Sequence, residues 1–70
     1  SCTEPEEIVY RGDVDDDAFL AGLVRGGTVC AVVGVGMNRQ VLGVLERFRA
    51  GIPVTPASIS DSSVDLAVVD

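Results

Sequence analysis

Two stretches of this chain carry residue types that could meet a ligand. The first is Gly34-Val35-Gly36-Met37-Asn38-Arg39, which joins an apolar run, Thr28 to Val33, to a segment with helical spacing. A strand ending in Gly-x-Gly where a helix begins leaves backbone N–H groups unpaired and pointing outward. The helix dipole adds a potential that favours an anion there. Such amides suit a carboxylate, with Arg39 as a further anion contact. The second stretch holds Ser60 and Asp61, either of which could meet an ammonium group. The alternative is that Gly34 and Gly36 only permit a sharp turn and that Arg39 is solvated.

Catalytic chemistry finds less support. No phosphate-loop pattern G-x-x-x-x-G-K-[ST] is present, and the chain has no Lys to reach a phosphate. "GVGMNR" lacks the third glycine of a dinucleotide fingerprint. With no His, the usual proton shuttle is missing. Ser58, Ser60, Ser62 and Ser63 have no visible base partner. Asp15, Asp16 and Asp17 could gather a divalent cation through oxygen, but capping a helix explains them more simply. Two cysteines without His make no zinc set. Cys2 and Cys30 could pair, yet Cys30 lies in an apolar strand and reads as a small buried hydrophobe. No catalytic residue, cofactor or metal is expected, and whether the chain is part of an enzyme stays open.

Composition sets further bounds. Seventy residues make one domain, and a chain this short buries a modest share of its surface. It is 47% hydrophobic with two Phe, one Tyr and no Trp, so the core must be aliphatic. A second copy or a second domain is expected to cover part of that apolar content. Eleven acids against five arginines give a formal charge of −6, which argues against nucleic acid and anionic membrane as partners. No apolar run is long enough to span a bilayer and no signal peptide is visible, which together suggest a cytoplasmic domain.

The elements that would position these residues follow from local signals. Residues 1–7 are acidic and broken by Pro5, and read as a disordered lead-in; residues 8–70 form the domain. Ile8-Val9-Tyr10 is a short strand. Asp13 to Asp17 cap a helix whose apolar face is Ala18, Phe19, Leu20, Leu23 and Val24, stopped by Gly26-Gly27. Thr28 to Val33 is a central strand. Asn38 caps a second helix, with Val41, Leu42, Val44, Leu45 and Phe48 on one side, closed by Gly51. Ile52 to Ser60 reads as an extended edge segment because of its two prolines, and Val64 to Val69 as the last strand. The order β-α-β-α-β-β predicts an α+β, ferredoxin-like two-layer sandwich: a four-stranded, mainly antiparallel sheet with two helices on one face.

"VCAVVGVGM", an apolar helix, "RAGIPV" and "SISDSSVDLAVVD" together resemble the regulatory ACT domain of the aspartate kinase family, in register from Val29 to Asp70. That resemblance implies a ferredoxin-like fold pairing with a second copy or a second ACT-like domain. It implies a small amino-acid effector bound between the two, acting allosterically on a kinase of amino-acid biosynthesis. The ligand contacts would then be Gly34, Val35, Gly36, Met37, Asn38 and Arg39, with Ser60 and Asp61 opposite. The chain departs from the family in the short connection Asn38-Arg39-Gln40 and in Pro53, which stands where the family often has Asn. The second reading is a ferredoxin-like dimerisation module that binds no ligand.

Overall fold

The computed structural model describes residues 2–69; Ser1 of the expected lead-in and Asp70 of the expected domain lie outside them. Three strands, β1 (Glu7–Asp13), β2 (Ala18–Arg25) and β3 (Thr28–Val35), pair antiparallel in the order β1-β2-β3. Helix α1 (Asn38–Ala50) and the short helix α2 (Pro56–Ser60) follow. Both lie on one face of the sheet, α1 against β3 and α2 across β1 and β2.

Turn chemistry explains the hairpins. Between β1 and β2, a single 3-10 turn spans Val14–Asp16: the Asp13 carboxylate accepts the Asp15 N–H, and Asp17 turns left-handed at φ 52°. Between β2 and β3, Gly26 and Gly27 both take positive φ, 62° and 80°. A two-residue loop of that kind matches the twist of the flanking strands. The register pairs Val24 with Val29 and Leu23 with Ala31, so Cys30 is an extra, bulged residue. Helix α1 ends where the Gly51 N–H reaches the Phe48 carbonyl and the Ile52 N–H reaches Arg47, a Schellman closure.

Inward from the sheet point Val9, Arg11, Leu20, Gly22, Val24, Val29, Val32 and Gly34, by the alternation of the register. The core joins Leu20, Val24 and Val29 to Val44 of α1, Val54, Ile59 of α2, and Leu66. It is wholly aliphatic, as the composition required. Two inward positions are glycines because the helical layer sits close: a side chain at Gly22 would meet Ile59, and one at Gly34 would meet Val41.

The expected four-stranded ferredoxin-like sandwich is not what forms, and three segments account for the difference. Residues 18–25 make β2 and not a helix. Phe19, Ala21 and Leu23 face one way and Leu20, Gly22 and Val24 the other, so both strand faces are apolar and the alternation that marks a strand is hidden. Residues 56–60 are helical because Thr55 caps the Ser58 N–H through its side chain and Pro56 sits at the first helical position, which proline favours. Residues 64–69 form turns and not a strand. Their main-chain groups are taken by side chains: Gln40 accepts the Leu66 N–H, and Arg47 donates to the Leu66 and Val68 carbonyls.

Gly43 marks how tightly this tail is held, since an added Cβ there would strike the Leu66 carbonyl. Gly→Ala inside a helix ordinarily gains about 1 kcal/mol of helix stability. Here Gly43→Ala is expected to lower stability by about 1–3 kcal/mol instead, as overpacking does. Urea denaturation of the variant and wild type checks the sign, and a stabilised variant would refute the close approach.

Candidate functional site

Arg11 is buried, 7% exposed, on the inward face of an edge strand. Its Nε donates to the Ile59 carbonyl at 2.8 Å and its Nη2 to the carbonyls of Ser58 (2.8 Å) and Asp61 (2.6 Å). Its Nη1 donates to Gln40 Oε1 at 3.2 Å. That oxygen also accepts the Leu66 N–H at 3.1 Å, while Gln40 Nε2 donates to the Asp65 carboxylate at 3.3 Å. A buried guanidinium must have its donors met, and this one gathers the end of α2, the first turn of α1 and the tail. Arg47 grips the tail from the other end: its Nη1 donates to the Gly43 and Leu66 carbonyls and its Nη2 to Val68.

Two carboxylates are tuned by this network. The Ser63 hydroxyl and then the Ser63 N–H donate to Asp61, and with Arg11 nearby they hold its carboxyl below the usual range. The Ala67 N–H and then Gln40 do the same for Asp65, assisted by Arg39 and Arg11.

The eight residues expected to contact a ligand fall in two places. Gly34 and Val35 end β3, Gly36 turns at φ 68°, and Met37, packed on the core, leads into Asn38 and Arg39 at the start of α1. Ser60 ends α2 and Asp61 follows it. Of the eight, only Asp61 contacts Arg11, through its carbonyl; the other contact on the α1 side is Gln40, the neighbour of Arg39. Ser60 turns its hydroxyl back toward the Pro56 and Ala57 carbonyls, and Gly36 lies against the Asp17 carbonyl, where a side chain would collide.

Sequence reasoning missed the other face of the sheet. The rows Ile8–Leu23–Ala31, Tyr10–Ala21–Val33 and Gly12–Phe19–Val35 carry no charged or amide side chain. No element of the described residues covers them: Tyr10 is 51% and Val33 54% exposed. The signal was present in the unbroken apolar runs of β2 and β3, which belong to sheets buried on both faces. The cysteine reading also changes. Cys2 and Cys30 form a disulfide, with Cα atoms 5.4 Å apart.

These features define an open-faced α+β module: a three-stranded antiparallel meander, helices on one face, and bare apolar surface on the other. The chain belongs to the Reductase C-terminal family, whose model matches residues 2–69. No curated protein and no solved structure matches it. This membership overturns the resemblance to the ACT domain of aspartate kinase, and with it the amino-acid-sensing function and the amino-acid biosynthesis setting. The likeness rested largely on glycines before a helix and on a valine-rich ending; the structure keeps the first as strand, turn and helix but makes the second a short helix followed by turns, with no strand.

Two outcomes follow from the arginine network. Arg11→Met keeps the apolar stem but strands three carbonyls, that of Ile59 buried and those of Ser58 and Asp61 partly so, and is expected to cost about 1–3 kcal/mol in chemical denaturation; a loss below about 0.5 kcal/mol would contradict the keystone role. Asp61 and Asp65 have folded pKa values below their unfolded ones, so their stabilisation is present above the ordinary carboxylate pKa. It is lost as pH falls below that value and through the lower folded ones. Denaturation midpoints should drop as pH falls below about 4, and the drop should be shallower in Asp61→Asn/Asp65→Asn.

Proposed function

We propose that this chain is the packing module of a reductase, and that its bare sheet face seats it on the polypeptide that precedes it in that enzyme. The observation that carries the reading is the three-row apolar face, on a chain whose family is defined by its place at the C-terminus of reductases. A sheet apolar on both sides is stable only when both are covered. Within the module, Arg11, Arg47, Gln40, Asp61 and Asp65 all hold backbone or one another. They act in positioning, and the redox chemistry of such an enzyme would belong to the rest of its chain.

A second copy of this chain, the partner expected from composition, is the competing occupant. The reading involves no nucleic acid and no membrane, in keeping with the net charge of −6. Among the described residues no helix is long and apolar enough to cross a bilayer. A cytoplasmic setting forms part of the proposal.

The test is a charge placed on the sheet face of the intact reductase. Val33→Asp and Tyr10→Asp should each weaken docking by about 2–3 kcal/mol, the scale of burying an unpaired polar group. The measured result would be a lower unfolding midpoint and faster hydrogen exchange along β3. Leu42→Asp, on the outward side of α1 and 60% exposed, should leave both unchanged. Intact stability and exchange in both sheet variants would refute the assignment. So would sedimentation in which those variants turn a dimer into monomers while each chain keeps its docking.

A further inference from the structure

We infer that the Cys2–Cys30 disulfide is a reversible thiol–disulfide site, a redox-operated clasp fastening the segment ahead of β1 to the β2–β3 hairpin. The inference does not depend on what covers the sheet face.

The clasp joins two parts of unequal firmness. Cys30 is the bulged residue of β3 and pairs with no residue of β2, so the ladder on either side of it does not need the bond. Residues 3–6 are all exposed and give nothing to the core. Polar contacts hold them otherwise. Arg25 Nη1 donates to the Thr3 and Glu4 carbonyls at 2.9 and 2.8 Å. The Gly26 N–H donates to Glu6 Oε1 at 2.6 Å, and the Glu6 N–H to the Val24 carbonyl at 2.8 Å. Exposed bonds of this kind contribute little singly. The fastened segment also holds Glu4 at φ 56°, a backbone state that a residue with a side chain adopts only when its surroundings impose it.

The reduced state has a place ready for it. The Leu23 carbonyl oxygen lies 3.3 Å from Cys30 Sγ and 3.9 Å from Cys2 Sγ. In the disulfide neither sulfur has a proton to offer. After reduction, the Cys30 thiol meets an acceptor without moving. Both cysteines are only half-buried, within reach of a small reductant.

The substrate class is a dithiol. Its thiolate attacks one sulfur, breaking the Cys2–Cys30 bond, forming a mixed disulfide and releasing the other cysteine as a thiolate that takes up a proton. The reductant's second thiol then displaces the first cysteine. The pair gains two electrons and two protons, and the dithiol leaves as its own disulfide. Such an opening frees residues 2–6 from the hairpin and leaves the sheet intact.

The experiment uses the full polypeptide with dithiothreitol under native conditions, counting thiols by alkylation and mass spectrometry and following amide exchange. Reduction should expose two thiols and speed exchange at Glu6 and Gly26 at least tenfold, while Leu20 and Val24 stay protected. Oxidised glutathione should reverse both changes, and Cys2→Ser should reproduce the reduced pattern. Three results would each overturn the proposal: no thiols released without denaturant, faster exchange throughout the sheet, or no change at residues 2–6. The second would make the bond a structural staple and the third an idle one.

Discussion

A cation placed beneath a helical layer has to be satisfied by whatever surrounds it, and Arg11 imposes that demand on this fold. It projects from β1 into the space between sheet and helices, where water cannot solvate it fully. Among the described residues no carboxylate pairs with it directly. The partners are main-chain carbonyls at the end of α2 and beyond it, together with one glutamine oxygen from α1. Because Gln40 also receives the Leu66 amide, the demand of one guanidinium is transmitted to three separate segments. Leu66 then reaches the core beside Val44 and Ile59. The tail has no strand to pair with, and this relay substitutes for a ladder.

The aliphatic core on one side of the sheet and the bare rows on the other give the molecule two unequal hydrophobic surfaces. The first is closed by α1, α2 and the tail; the second is covered by no element among the described residues. A chain of this size has few ways to bury 47% apolar residues alone, and the proposed docking of its sheet face would be a direct solution. Membership of a family placed at the end of reductases agrees with a module made to be leaned against.

Much of β3 and α1 was legible in the residues. Thr28 to Val33 is β-branched and continuous, Gly26-Gly27 breaks the chain before it, and Val41, Val44 and Phe48 fall on one helical side closed by Gly51. What misled was residue type serving two periods at once. Phe19, Leu20, Leu23 and Val24 fit one helix face, and they equally fill both sides of a strand. The prolines at 53 and 56 suggested an edge, whereas Pro56 starts a helix because Thr55 precedes it. Arg11 was invisible as a site because a lone arginine beside a tyrosine looks like surface; its role depends on Ser58, Ile59 and Asp61, almost fifty residues away. Of the expected ligand residues only Asp61 meets that arginine, and the bond from α1 comes from Gln40, which pattern reading had no reason to single out.

Arginines that hold carbonyl oxygens have a consequence for how this sequence can vary. Arg11 and Arg47 address the main chain of residues 58–68, and every residue type presents the same carbonyl. Apart from the buried Ile59 and Leu66 and the turn-forming Asp61 and Asp65, the gripped segments are therefore free to drift in identity while keeping their path. The specification of that path is stored in the grippers: two arginines, one glutamine, and a glycine at 43 with no side chain to push the tail away.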